Sequence, residues 1–456
     1  MPEEIAEKVA EAPAVAVEKA IDAAGQLGEK IANQEPVKKA KAYWKMLGPG
    51  LTTGAADDDP SGIATYSQAG AKYGFQLLWL APLTFPLMAL VQEMCARIGI
   101  VTGRGLAANI RLNFPKWVLY GCTGLLFFAN TLNIGADLGA MAKVTQLLVP
   151  NFNFGLLVLG FTILCLVLQI FSTYEKYARY LKWLAFVLLS YVIAAFLIKG
   201  LDWGVILRQA VIPSLTFSKE QIFLICGILG TTISPYLFFW QTSQEVEEEI
   251  LAGKTNLEMR QETSDQQIKR MRIDVWSGMF LSNMVMFFII LTTAATLFSK
   301  GVTNIGTAAD AASALKPIAG DQAYLLFAVG VIGVGLLAVP ILAGSASYAF
   351  SESLKLRQGL YRKLSDATAF YGVIIIAMGV GLLINFLNID PIKALIFSAV
   401  ANGLVAPIIL ILIVLISSNE KIMGQRKNHP LITTFGWIVT IAMGLVGVAT
   451  IVSLFL

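Results

Sequence analysis

Charge is scarce in this chain, and histidine scarcer still. Only 14% of its 456 residues are Asp, Glu, Lys or Arg, while 56% are hydrophobic. A soluble chain carries about 25% charged residues, so the composition excludes a soluble multidomain protein and indicates an integral membrane one. The single histidine, His429, excludes a His-Glu-x-x-His hydrolase. Four cysteines (Cys95, Cys122, Cys165 and Cys226) fall in apolar runs at no metal-ligand spacing. They read as small buried residues, and no disulfide framework is expected. Haem, nucleotide and flavin motifs are missing, so no cofactor is expected. Met1 to Gln34 has no apolar core run, which argues against a cleavable signal peptide.

What the chain has is long apolar runs. A spanning helix needs about 20 mostly apolar residues. Eleven segments qualify, at 47–70, 77–100, 117–148, 154–172, 183–198, 221–244, 274–298, 323–350, 367–387, 391–416 and 432–456. The third is long enough to tilt or overhang the bilayer. With the N-terminus inside, the inner loops and flanks carry twenty-three Lys and Arg, against eight outside. The positive-inside rule then gives a multi-pass plasma-membrane protein with a cytoplasmic N-terminus and an extracellular C-terminus. That bias accounts for the +4 net charge, so no nucleic-acid partner is implied. Residues 1–46 are expected to form a cytoplasmic tail, disordered or loosely helical at the membrane surface. The inner loop Glu245–Ile273 is expected to be a solvated helix extension plus linker.

Segments one and six are interrupted. The first breaks at Asp57-Asp58-Asp59-Pro60-Ser61-Gly62 and the sixth at Ile233-Ser234-Pro235-Tyr236. Membranes tolerate non-helical backbone only where protein or a water-filled cavity shields it. A matched pair of broken segments, one per half, points to a transporter's midplane site. Each break opens a run of five spans, and the two runs start from opposite sides. This predicts an all-α, LeuT-like fold with a five-plus-five inverted repeat (47–200 and 221–417) and an eleventh helix at 432–456.

A carboxylate inside a span costs at least about 2.5 kcal/mol, so Asp57, Asp58 and Asp59 are candidate cation ligands. Pro60 removes a backbone donor and frees a carbonyl that could join Asp59 around a hard cation. A structural kink beside a water-filled vestibule is the alternative, weightier for Asp57 and Asp58 than for Asp59. Ser234-Pro235 should likewise free a carbonyl near Thr231, although an ordinary proline kink would look the same. Glu93 and Gln92 lie one turn from Arg97, and a local ion pair explains them. Asn133 and Asn402 are mid-span polar groups suited to gluing helices together.

Gly48-Pro49-Gly50, Asp59-Pro60 and Gln68-Ala69-Gly70 resemble the first-helix signature of the Nramp metal-ion transporters. Ala96-Arg97-Ile98-Gly99-Ile100-Val101-Thr102-Gly103 is similar to the end of that family's second helix. Ile422-Met423-Gly424 with Phe435-Gly436-Trp437 resembles the approach to its eleventh. The resemblance runs over essentially everything after residue 45. It implies a metal site at Asp59, at Gly62 in place of the family's Asn, at the Thr231 carbonyl, and at Ser234 in place of the family's Met. Tyr236 stands where the family has His. Asp137 matches a helix-three Asp, but Ala140 replaces the acid three residues on, and no arginine lies inside helix nine. Asp58, Tyr236 and Asp137 are therefore candidates for a secondary pathway, Asp137 equally for a structural role.

A thioether favours softer transition metals, whereas oxygen ligands and water suit Mg²⁺ and Mn²⁺. These departures resemble the family's magnesium-transporting branch, which implies uptake of Mg²⁺, with Mn²⁺ also carried, by an uncoupled monomer in a lipid bilayer with no obligate protein partner. The rival within the family is a proton-coupled Mn²⁺/Fe²⁺ symporter. An amino-acid carrier on the same fold would meet three carboxylates of the wrong sign. A metal-sensing receptor would want an added signalling domain, and an intramembrane hydrolase a paired-Asp or histidine motif.

Overall fold

The computed structural model describes Tyr43 and residues 47–171, 188–387 and 389–455. Contacts divide the chain into Met1–Gly48 and Pro49–Leu456, and the architecture here is that of the second unit. The expected tail, Tyr43 apart, lies outside the described residues, as does the start of the segment at 183–198.

Every regular element among the described residues is helical. The first span is two pieces, α1 (Pro49–Asp57) and α2 (Pro60–Tyr73). Then come α3 (Leu80–Thr102), the short α4 (Leu106–Asn113), α5 (Lys116–Leu148), α6 (Phe154–Phe171), α7 (Leu189–Leu197) and α8 (Trp203–Val211). The second half opens with α9 (Lys219–Thr232) and α10 (Pro235–Leu251), the two pieces of the sixth span. It continues through α11 (Leu257–Gln261), α12 (Asp265–Thr296), α13 (Ala308–Ser313), α14 (Lys316–Ala319), α15 (Ala323–Leu354), α16 (Thr368–Ile384) and α17 (Pro391–Ser418). Short α18 (Glu420–Met423) precedes the added α19 (Pro430–Phe455). Eight stretches among the described residues are long and apolar enough to cross a membrane, and α16 is a shorter apolar helix. At about 1.5 Å per residue, 33-residue α5 spans roughly 50 Å, more than the hydrocarbon core of about 30 Å.

The packing carries the repeat. First-span pieces α1 and α2 lie against α12 of the second half, and sixth-span piece α10 lies against α3 of the first. Helices α3 and α12 pack on each other, as do α5 and α15. A two-fold relation between the halves produces this exchange, because equivalent helices contact each other's partners. Bare backbone makes the seams close. A Cβ on Gly54 would sit 2.3 Å from the Gly278 carbonyl, and one on Gly230 would sit 2.3 Å from the Gly403 nitrogen. Small residues let helices approach this closely in lipid, where apolar burial drives nothing. Large apolar side chains such as Trp117, Phe128, Leu156 and Leu445 are exposed outward, as a lipid-facing surface requires.

Two polar contacts hold the start of α1. The Asp274 carboxylate, on α12, accepts from Gly50 N at 2.7 Å and Leu51 N at 3.1 Å. A carboxylate at a helix N-terminus satisfies orphan donors and complements the dipole. Thr53 Oγ1 donates to Gln241 Oε1 at 2.5 Å, and Gln241 Nε2 donates to Glu245 Oε1 at 2.8 Å.

The loop from Glu245 is a helix extension followed by a largely exposed linker, as expected, but three glutamates of the acidic run depart from the solvated reading. Glu245, Glu247 and Glu249 are buried. The end of α10 lies between α3, α4 and α15, which with the neighbouring loops supply donors. Glu247 accepts from the Tyr348 hydroxyl and from Leu360 N, and Glu249 pairs with Lys254 at 2.9 Å. The Glu93–Arg97 ion pair forms as expected, and Arg272 and Trp276 of α12 join it.

Replacing Asp274 with Ala removes both acceptors at the α1 terminus and should cost about 1–2 kcal/mol. It should appear as a lower melting temperature of the detergent-purified protein. Asp274→Asn keeps one acceptor and should recover part of the loss. Unchanged melting in the alanine variant would mean that packing alone holds α1.

Candidate metal site

Proline dictates the site's backbone. Pro60 has no N–H, so the Ala56 carbonyl four residues earlier loses its helical partner, and Pro235 does the same to Thr231. Buried carbonyls need replacement donors. Tyr236 Oη donates to Ala56 O at 3.0 Å, so the sixth span repairs the first. Ser234 Oγ lies 2.7 Å from both Thr231 O and Gly230 O, so one hydroxyl proton serves two carbonyls. Thr231 O thus keeps a lone pair, and the Ser234 oxygen keeps its own.

Asp59 is the N-cap of α2. Its Oδ1 accepts from Ser61 Oγ at 2.6 Å and from Gly62 N at 2.8 Å. Asn133 Nδ2, on α5, donates to Oδ2 at 2.8 Å, and Tyr236 Oη approaches the same oxygen at 3.5 Å. Ser398 Oγ of α17 donates to Asn133 Oδ1 at 2.7 Å. The carboxylate is buried, and among the described residues no Lys or Arg pairs with it. Its full charge therefore faces neutral donors only. Such a site attracts a cation and leaves the donors able to orient that cation's water.

Both breaks meet here. Ser61 Oγ lies 3.5 Å from Thr231 Oγ1. A Cβ on Gly62 would sit 3.2 Å from Thr231 Oγ1 and 3.3 Å from the Asp57 carbonyl, so the two spans touch where α2 has no side chain. Asp59, Gly62, Thr231 and Tyr236 are thereby brought together, while Ser234 turns its proton back onto its own helix. Asp57 and Asp58 belong elsewhere. Ser282 Oγ of α12 lies 2.6 Å from Asp57 Oδ2 and 3.2 Å from Asp58 Oδ1, which places both on the α1–α12 seam. Asp137 is buried with neither oxygen hydrogen-bonded. It lies one turn beyond Asn133, the residue that donates to Asp59.

Among the described residues, no three His, Cys, Asp or Glu converge as a metal-holding group. The available donors are one carboxylate, hydroxyls and backbone carbonyls, a hard-oxygen set. Asn133, expected only to glue helices, instead orients the carboxylate. Its spacing of four from Asp137 puts both on one helix face, a signal present in the sequence. Nothing local marked Ser398, which arrives from the other half. Asn402, expected to glue helices, is buried without a side-chain hydrogen bond. All four cysteines are free and buried, as expected.

The sequence profile of the family described as natural resistance-associated macrophage protein-like matches residues 50–453. A divalent metal cation transporter of Aeromonas hydrophila subsp. hydrophila, MntH, is 27% identical over 422 residues, covering 90% of this chain and 96% of its own. Among solved structures, the Eremococcus coleocola manganese transporter, crystallised with an aromatic bis-isothiourea substituted compound, superposes with a TM-score of 0.71 at 19% identity. It covers 91% of this chain and 87% of its own. Mhp1, a nucleobase-cation-symport-1 family transporter in a closed conformation, gives 0.53 at 15% identity, covering 89% and 91%. The two structural likenesses show the LeuT-like fold.

Calorimetric titration of purified protein with Mn²⁺ tests the site. Asp59→Ala should abolish binding while the protein stays monodisperse. Asn133→Ala leaves the carboxylate but removes one of its donors and should weaken binding roughly tenfold, the worth of a hydrogen bond to a charged group. Unchanged binding by Asp59→Ala would move the site to Asp57 or Asp58.

Proposed function

The chain belongs to the natural resistance-associated macrophage protein-like (Nramp) family, and from that premise we propose that it takes up Mg²⁺, with Mn²⁺ as an accepted alternative, by alternating access and without proton coupling. Proteins of this family are transporters, not enzymes; the metal is their substrate and no cofactor is needed. The observation that carries the magnesium reading is the donor set at the two breaks. Asp59 supplies the only full charge, ringed by Ser61, Asn133 and Tyr236, while Gly62 and Ser234 offer neither an amide nor a thioether. Mg²⁺ loses its water reluctantly and usually keeps several molecules when bound. Hydroxyls and an amide already aimed at one carboxylate suit an ion held largely through that water. In this reading Thr231 contributes its freed carbonyl and Ser234 its hydroxyl oxygen.

Uncoupled transport is supported by what replaces the relay: Tyr236 for a histidine, Ala140 for an acid, and an exposed His429 as the single histidine. Asp137 favours the competing reading, a proton-coupled Mn²⁺ carrier, because its oxygens are buried without hydrogen bonds one turn from the Asn133 that bonds Asp59. The basic loops mark the cytoplasmic face, with the N-terminus inside and the C-terminus outside. Spans one to five (47–200) and six to ten (221–417) serve as the inverted halves around the site, and the transporter works as a monomer.

A pH-sensing dye inside liposomes decides the coupling. Mg²⁺ or Mn²⁺ entry should cause no acidification beyond the leak. Metal-dependent acidification would return the proton to Asp59 or Asp137 and favour the symporter.

Selectivity is the second measurement. Millimolar-range Mg²⁺ should compete with Mn²⁺ for uptake, because neither ion meets a soft ligand. The double change Gly62→Asn with Ser234→Met should shift preference toward Mn²⁺. It must also displace Thr231, since even a Cβ at position 62 is tight. Mn²⁺ uptake insensitive to excess Mg²⁺ would sink the magnesium reading.

A further inference from the structure

On the basic face lies a cavity of about 360 Å³ that the metal site does not use. It opens among the ends of α3, α10 and α15, the short α4 and α11, and the connection after α15. Six cationic side chains line it: Arg104, Arg111, Arg260, Lys355, Arg357 and Arg362. None of the six forms an ion pair among the described residues. Two carboxylates also line the cavity, yet both are engaged by neutral donors. Glu247 takes the Tyr348 hydroxyl and Leu360 N, and Glu352 takes Ala108 N at 2.9 Å and Gln358 Nε2 at 3.0 Å. Glu352 also presses against Gly105, where a Cβ would fall 1.8 Å from its Oε1, so the carboxylate cannot swing that way.

Three of the five arginines are braced by backbone carbonyls. Arg260 Nε donates to Gly103 O at 3.1 Å, Arg362 Nε donates to Gln358 O at 3.1 Å, and Arg111 bonds the Glu352 carbonyl. Arg111 Nε is buried without a partner. Six cations against two committed carboxylates leave a positive surplus around a space of ligand size. Guanidinium groups held in place, with donors to spare, match phosphate oxygens in geometry and charge.

We propose that this cavity binds a phosphate-bearing polyanion, a pyrophosphate group or a phosphomonoester headgroup, as a second ligand distinct from the transported cation. Its walls come from two sides. Arg104 and Arg260 stand with α3 and α11, which pack together; Arg111, Lys355, Arg357 and Arg362 stand with α4 and the end of α15. An anion reaching both sides ties them together. This regulatory consequence rests on the transport reading, since alternating access moves such helix groups against each other; the binding itself does not.

The test uses the full chain, purified in detergent, and saturable binding of inorganic pyrophosphate in metal-free buffer. Wild type should bind one equivalent, and Arg357→Gln with Arg362→Gln should weaken binding at least tenfold. Arg357→Glu alone, at an exposed position, guards against misfolding of the double variant and should weaken binding as well. Asp59→Ala should bind as wild type does, which separates this site from the cargo site. In nanodiscs, competition by phosphatidic acid would assign the site to a lipid headgroup, and its failure to compete would assign it to a soluble phosphate. Absence of saturable binding in both settings, or undiminished binding by the Arg variants, overturns the proposal. With free Mn²⁺ held constant, saturating pyrophosphate should slow uptake at least threefold in wild type but not in the double variant. Equal uptake would overturn the bridging role.

Discussion

The structure depends on two carbonyls that prolines leave without donors where there is no water to replace them. Ala56 O and Thr231 O lie mid-span, and an unsatisfied polar group there costs several kcal/mol. Each is repaired by a hydroxyl of the sixth span, from Tyr236 and Ser234. The Tyr236 repair crosses between the breaks, so the first span cannot take its shape unless the sixth lies against it. Site and fold are therefore a single constraint: the bond that completes the backbone also brings Tyr236 to Asp59.

Holding two broken helices so close demands thin walls. Gly54 against Gly278, Gly230 against Gly403 and Gly62 against Thr231 put backbone on backbone or on a short side chain. Any Cβ at the first two would push apart helices that no hydrophobic force draws together in lipid. The start of α1 is anchored by Asp274, so the first span is tied at its N-terminal end by a carboxylate of α12 and at its break by α5 and α10.

The charges are sorted by task. Asp57, Asp58 and Asp59 are consecutive, yet the break turns Asp59 toward α5 and α10 and leaves the other two on Ser282. Only Asp59 sits among donors from three helices, α2, α5 and α10. At the basic face the pattern inverts: Glu247 and Glu352 are buried and engaged, while arginines line the open cavity. One end of the molecule therefore presents positive charge to a cavity, and its centre holds negative charge among neutral donors.

Much of this was legible in residue order. Apolar run lengths set the spans, Asp59-Pro60 and Ser234-Pro235 marked the breaks, and loop Lys and Arg marked one face, because each depends on neighbours in sequence and on the bilayer as solvent. Proline's missing N–H even named the carbonyls to be freed. Partner choice was not legible. That Asn133 and Ser398 would orient Asp59, that Ser282 would draw off Asp57 and Asp58, and that Glu247 would be buried against Tyr348 and Leu360 all depend on residues 74 to 265 positions apart. A side chain's local chemistry states that it needs a partner, and only the packing of helices from both halves decides which partner comes within reach.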